Sequence, residues 1–182
     1  MILTKKDLVN AYAEKVTVQS YEKKPVIEGV KIVDVNTFVE DGGDFTEIAR
    51  LNDKGEHQFV EGLKVRQMNY SVIVPGVVKA FHLHFRQNEA WYVPPHCRAL
   101  VGLFDVRKSS KTKGVSMRLV LGGGKSRLLF IPMGVAHGVA NVWKENTVLL
   151  YFVDQQFNIQ DPDERRLPWD IIGKEFWQIQ KG

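Results

Sequence analysis

From Val30 onward, apolar residues fall in short runs separated by turn residues. Val30, Ile32, Val33 and Val35 open the series, and Asp41-Gly42-Gly43-Asp44 interrupts it as a turn. Leu63–Val74 and Val77–Phe85 follow on either side of Pro75-Gly76. Further runs cover Val93–Val106, Val115–Leu121, Leu128–Pro132 and Thr147–Val153. Many short strands punctuated by Gly and Pro predict an all-β sandwich or small barrel. The two ends read differently. Thr4 can cap a helix, Asp7 stands at the capping-box position, and Leu8, Tyr12 and Lys15 share a face, which predicts a helix over 4–15. Beyond Asp154 the chain is polar and turn-rich, with a short helix or strand expected over 171–179. The expected organisation is a single domain, 1–182, with an N-terminal helical extension over 1–26, a barrel over 27–160 and a C-terminal segment over 161–182.

Bulk properties narrow the classes. A chain of 182 residues, 44% hydrophobic and 25% charged, reads as one ordinary globular domain. Its longest apolar runs are far too short to span a bilayer, and Met1-Ile2-Leu3-Thr4-Lys5-Lys6-Asp7 lacks an apolar signal core, so a cytoplasmic location is expected. Cys97 is the sole cysteine, which excludes an intramolecular disulfide and a Cys-based metal site. The net charge of +4 is scattered rather than clustered with stacking aromatics. That argues against nucleic acid and suits an anionic small substrate. Gly122-Gly123-Gly124-Lys125-Ser126 ends like a phosphate-binding loop, but the required first glycine is Leu119 and a strand follows, so a hairpin turn is expected.

The histidines carry the candidate chemistry. His82 and His84 are two apart in a strand and point to one side. Gly76 precedes them by six positions and Glu89 follows after four residues; Pro132, Gly134, His137 and Asn141 form a second group. Two chemistries are open. His82, His84, Glu89 and His137 can together hold Fe, Mn, Ni or Zn. Alternatively one histidine serves as a base with a pKa near neutrality. His57, in the charged stretch 52–58, is expected to be solvated, and His96, after Pro94-Pro95, to be a turn residue.

The spacings G-x5-H-x-H-x4-E and P-x-G-x2-H-x3-N resemble the two halves of the cupin signature. The resemblance implies a jelly-roll barrel, the double-stranded β-helix. Within that group, Ile27 to Trp177 resembles the dTDP-4-dehydrorhamnose 3,5-epimerase (RmlC-type) family. The matching pieces are Gly43-Asp44-Phe45-Thr46-Glu47, then Gln67, Asn69 and Ser71, then Lys79-Ala80-Phe81-His82. Asp105-Val106-Arg107-Lys108-Ser109-Ser110, Ile131–Gly138, Pro162–Arg165 and Leu167–Asp170 complete the series. The resemblance implies metal-free epimerisation beside the 4-keto group of a nucleotide-linked 6-deoxy sugar. It assigns His82 as base, Asp170 as its orienting carboxylate and His137 as a polar partner. Phe45, Glu47, Gln67, Asn69, Lys79, His84, Phe157 and Arg107 would bind substrate, and a homodimer is expected. The chain departs from the family at four points. Gly42 replaces a turn Arg, Lys79 replaces an Arg, the catalytic-site Lys is missing, and Phe157 stands where the family has its acid Tyr. Phenylalanine cannot donate a proton; Tyr92 is the expected substitute where its side chain enters the barrel. A metal-dependent cupin and a non-catalytic sugar-nucleotide binder are the other readings.

Overall fold

The computed structural model describes residues 2–22 and 24–180, so positions 1 and 23 of the expected 1–26 extension and positions 181 and 182 of the expected C-terminal segment lie outside the described residues. The strands are β1 (Lys31–Asp34), β2 (Thr37–Glu40), β3 (Gly43–Thr46), β4 (Gln67–Ile73), β5 (Val78–Leu83) and β6 (Glu89–Tyr92). They continue as β7 (Arg98–Asp105), β8 (Ser116–Gly122), β9 (Arg127–Ile131), β10 (Val135–Ala140), β11 (Thr147–Val153) and β12 (Arg165–Arg166). One sheet runs β1-β9-β6-β11-β4 and the other β12-β5-β10-β7-β8, while β2 and β3 form a separate hairpin. Successive strands such as β4 and β5, or β9 and β10, lie in opposite sheets. This is the jelly-roll arrangement.

Val101, Leu103, Leu121, Leu129 and Ile131 pack between the sheets. Val60 and Leu63 cover the back of the first sheet through Ala90, Tyr92, Leu128 and Phe152. Trp177 covers the back of the second with Phe81, Leu100 and Ala136. Trp177 arrives on a 3-10 turn, Lys174–Trp177, and is only 3% exposed. Gly102 makes room for it: a Cβ there would lie 2.6 Å from the Trp177 ring and 2.5 Å from Phe176.

The strand runs expected from sequence are present, with one division: the turn at Pro94–Cys97 splits 93–106, leaving Val93 outside the strand that starts at Arg98. The helix expected over 4–15 is not continuous. It is a 3-10 turn, Lys5–Asp7, followed by the four-residue α1, Asn10–Ala13. Asp7 does accept from the Thr4 backbone and hydroxyl. Neither piece buries a residue, and a short helix with no tertiary face to pack gains too little to propagate. The three glycines 122–124 all take positive φ at the β8–β9 hairpin, as a turn there requires.

Candidate active site

A cavity of about 840 Å³ opens between the sheets. Alternation along the strands decides what enters it. On β4, Gln67, Asn69 and Ser71 face inward while Met68, Tyr70 and Val72 face out. On β6, Glu89 and Trp91 face in, and on β11, Leu149, Tyr151 and Val153 do. The opposite wall comes from β5 and β10. His137 pairs with His82, but Val139 pairs with Lys79, so three steps on β5 span two on β10. This bulge turns both Lys79 and His82 into the cavity although their numbers differ in parity. Gly138 allows the close approach: a Cβ there would meet the Ala80 Cβ at 2.3 Å and the Lys79 carbonyl at 2.9 Å.

His82 has a defined tautomer. Arg166 Nη1 lies 3.2 Å from Nε2, and Glu164 Oε1 lies 3.3 Å from Nδ1. A guanidinium only donates and a carboxylate only accepts, so Nδ1 carries the proton and Nε2 the lone pair. Burial, then the neighbouring His137 and Arg166, push the imidazole down to about 4 against the opposing pull of Glu164 and Glu89. The ring is therefore neutral near pH 7, as a base must be.

Deeper in the cavity, His84, Glu89 and His137 form a second group, all buried. His84 Nε2 is 3.1 Å from Glu89 Oε1, and His137 Nε2 is 3.5 Å from Glu89 Oε2. Gln87 and the Trp91 indole N–H donate to the same carboxylate at 2.7 and 2.5 Å. Burial opposes ionisation of Glu89, but the adjacent histidines, His137 foremost, and the indole N–H hold its carboxyl well below the usual range. Burial also pushes His137 down, whereas for His84 the Glu89 hydrogen bond and charge outweigh burial and push it up.

Of the residues nominated from sequence, the cavity brings together His82, His84, Glu89, His137, Gln67, Asn69, Lys79 and Phe157. Gln67 accepts the Phe157 N–H at 2.9 Å and donates to Asn69 at 2.7 Å. The other nominations do not line this cavity. Asp170 does not reach His82; it lies in the turn before the last 3-10 helix, where its carbonyl accepts the Gly173 N–H. Glu164 takes the orienting position, because β12 pairs Arg166 with His82 and Arg165 with Leu83. Tyr92 is 4% exposed and faces away from the cavity, since Glu89 and Trp91 take the inward positions of β6. Its hydroxyl lies 3.2 Å from Ser126 Oγ. Arg107 is held by Asp105 at 2.9 Å and by the Glu28 carbonyl. Phe45 stays exposed on the β2–β3 hairpin against Phe38, and Glu47 pairs with Arg50 at 2.7 Å. His82 is not part of the three-residue buried cluster, so the four-ligand set reduces to His84, Glu89 and His137. His57 is not solvated: it is 3% exposed, lodged between Phe59 and Phe152, and accepts the Phe59 N–H.

Sequence reasoning missed Glu164, Arg166 and Tyr151. Tyr151 lines the cavity from β11, and burial and the charges of Glu89 and Glu164 push its phenol up, so it stays protonated. Its signal was the alternation Leu149, Tyr151, Val153 inside the 147–153 run.

Two antiparallel sheets enclosing a histidine-lined cavity, with the H-x-H pair on one strand and His137 on its neighbour, define a cupin-type barrel. Residues 24–172 match the family described as dTDP-4-dehydrorhamnose 3,5-epimerase. The chain is 37% identical to the spore coat polysaccharide biosynthesis protein SpsL of Bacillus subtilis over 145 residues, covering 80% of this chain and 91% of that one. It is 30% identical to a probable low-salt glycan biosynthesis epimerase of Haloferax volcanii over 146 residues, covering 80% and 90%. A crystal structure of dTDP-4-dehydrorhamnose 3,5-epimerase from Sulfolobus tokodaii superposes with a TM-score of 0.64 at 28% identity, covering 80% of this chain and 81% of that one. The chain belongs to the dTDP-4-dehydrorhamnose 3,5-epimerase family, a family of sugar-nucleotide epimerases.

Proposed function

We propose that this protein epimerises a nucleotide-linked 4-keto-6-deoxy sugar, with His82 as the base. One observation carries the reading: His82 is neutral, its Nδ1 lies 3.3 Å from Glu164, and its Nε2 lone pair faces the cavity. Nε2 takes the proton from the carbon beside the ketone and the C–H electron pair moves into the enolate. Arg166, which donates to that lone pair, must first swing aside. Tyr151, on the opposite sheet, returns a proton to the other face of the sugar. Protonation from the opposite side inverts the centre. Lys79 and Arg166 supply positive charge suited to a diphosphate, and Gln67 and Asn69 supply amides for the sugar or base. Proton transfer through His82 calls for no organic cofactor.

The test is hydrogen exchange in D2O against a panel of nucleotide-linked 4-keto-6-deoxy sugars, followed by NMR. The wild type is expected to exchange hydrogen beside the ketone. His82→Gln is expected to lose roughly 10²–10⁴-fold in rate, the usual contribution of a positioned base. No exchange with any member of the panel sinks the reading.

A homodimer fits this reading as well. Met68, Tyr70 and Val72 on the outer face of edge strand β4, and Phe38, Val39 and Phe45 on the hairpin, leave apolar surface exposed. Sedimentation at the 20.8 kDa mass of a monomer would contradict it. Among the described residues no helix is long and apolar enough to cross a membrane. We place the enzyme in the cytoplasm as a single catalytic domain.

A further inference from the structure

We propose that Arg166 is a catalytic residue of the epimerisation: the incoming sugar displaces its guanidinium from His82, and the guanidinium then holds the ketone oxygen as the enolate forms. The role rests on the epimerase reading given above. Arg166 Nη1 lies 3.2 Å from His82 Nε2, the atom that must take the proton. The reacting carbon has to come within about 3–3.5 Å of that same atom. Arginine and substrate therefore compete for one place. Arg166 cannot stay there once the proton has moved, because an imidazolium Nε2–H and a guanidinium N–H are two donors of like charge.

Three features let the side chain move without leaving the site. Its Nη2 donates to Glu164 Oε1 at 2.5 Å, and that oxygen also lies 3.3 Å from His82 Nδ1, so Glu164 is a pivot shared by both. The Arg166 side chain is 60% exposed, and rotating its far end disturbs little packing. The backbone behind it is carried by β12: Arg166 pairs with His82, and the Asp163 carboxylate accepts the Phe85 and Arg86 N–H groups at 3.0 and 2.7 Å. The ketone oxygen lies about 2.4 Å from the carbon that loses its proton, given bond lengths of about 1.5 and 1.2 Å at a trigonal centre. A guanidinium pushed off Nε2 by that carbon meets the oxygen beside it.

Among the described residues, no other cation lining the cavity is placed for this. The inward positions of β6 hold Glu89 and Trp91, not a lysine. Arg86 is engaged by the Asp161 carboxylate at 2.7 Å and by the Asp161 carbonyl at 3.3 Å. Lys79 stands opposite Val139, further along β10 than the His82–His137 pair. The charges balance through the step. The C–H bond breaks, its proton joins Nε2 and its electron pair moves into the enolate. His82 becomes positive, the ketone oxygen becomes negative, and Arg166 donates to that oxygen. When the donor protonates carbon, the pair returns and the ketone re-forms. His82 then gives its proton to solvent and Arg166 goes back to Nε2.

The experiment measures hydrogen exchange in D2O by NMR for the wild type, Arg166→Met, Arg166→Lys and Arg166→Ala. Calorimetry gives the affinity of each for the nucleoside diphosphate of whichever panel sugar exchanges. Arg166→Met is expected to lower kcat for exchange about 10²–10³-fold, the usual cost of losing one oxyanion donor, with KM changed less than about threefold. Affinity for the nucleoside diphosphate, which has no ketone, is expected to fall less than about threefold. Arg166→Lys keeps the charge without the fork and is expected to exchange at least about tenfold faster than Arg166→Met. In Arg166→Ala, guanidinium chloride is expected to restore exchange where sodium chloride does not, a response that a purely structural role would not give. Exchange faster than wild type in Arg166→Met makes the arginine only a cap on the base and overturns the role, and so does exchange at the wild-type rate. A loss of nucleotide affinity as large as the loss of exchange also overturns it, since Arg166 would then serve the diphosphate. Those outcomes leave the epimerase reading intact, whereas no exchange by the wild type sinks both.

Discussion

At the residue scale, the proposed reaction divides orientation and return of the proton between Glu164, 3.3 Å from His82, and Tyr151, on the opposite sheet of the same cavity. Arg166 donates to Nε2, which leaves the proton on Nδ1, and the Glu164 carboxylate 3.3 Å from Nδ1 favours it there. Glu164→Gln leaves a neutral amide that can donate as well as accept, which lets the ring turn or change tautomer. Its turnover is expected to fall about 10- to 1000-fold with a small change in KM, read in steady-state kinetics. Tyr151→Phe is expected to behave differently. Exchange at the abstracted position continues, because the base is intact, while inverted product falls by roughly 10²-fold or more. NMR separates the two quantities in one tube. Inverted product at the wild-type rate in Tyr151→Phe would assign the donor elsewhere. The two tyrosines also show what one-dimensional reading lacks. Tyr92 and Tyr151 both sit in strand-like apolar runs, and only the face turned to the cavity separates them. Glu89 and Trp91 take the inward places of β6, so Tyr92 is lost to the outer layer.

At the scale of elements, the bulge in β5 is the device that assembles the wall. Without it, strict alternation would send either Lys79 or His82 into the outer layer. Gly138 makes the bulge possible, so Gly138→Ala is expected to destabilise the fold by about 1–3 kcal/mol through overpacking against Ala80. Urea denaturation measures the loss. A wild-type midpoint would show that β10 moves aside freely. This element marks a limit of sequence reading too. Short apolar runs between turn residues located β4, β5, β9 and β11, and only β4 alternates cleanly between a buried and an exposed face. A bulge breaks that period and leaves no mark of its own. The helix expected over 4–15 failed for the converse reason. Its spacing and cap were genuine, yet its residues pack on nothing. Glu164 escaped notice because strand pairing across some 80 residues carries it to His82.

On the scale of the whole molecule, buried histidines couple stability to pH. Burial pushes His57 below its ordinary value of 6.5, and it lies between Phe59 and Phe152. The unfolded chain therefore binds a proton at a pH where the folded chain does not. Between 6.5 and the lower folded value, unfolding takes up protons, so stability falls as pH falls. The urea midpoint is expected to drop from pH 7.5 to pH 5.5, and His57→Leu is expected to flatten part of that drop. A wild-type midpoint constant over this range would show that His57 titrates alike in both states. The fold class and the two histidine groups were legible in the sequence, because they rest on period and spacing. The tautomer of each ring was not, because it depends on which carbonyl or guanidinium meets each ring nitrogen.

β12 contributes only two residues to its sheet, at an edge, yet the segment around it supplies Glu164 and Arg166 to the base and the Asp163 carbonyl to His84. Short edge pairings open at low cost in free energy, independently of the core. The amides of Arg165 and Arg166 should therefore exchange with solvent ahead of those in β7 and β10. A sugar nucleotide bridging the two sheets would slow that exchange. Saturation of the enzyme would then be visible as protection of two arginine amides, before any chemistry has occurred.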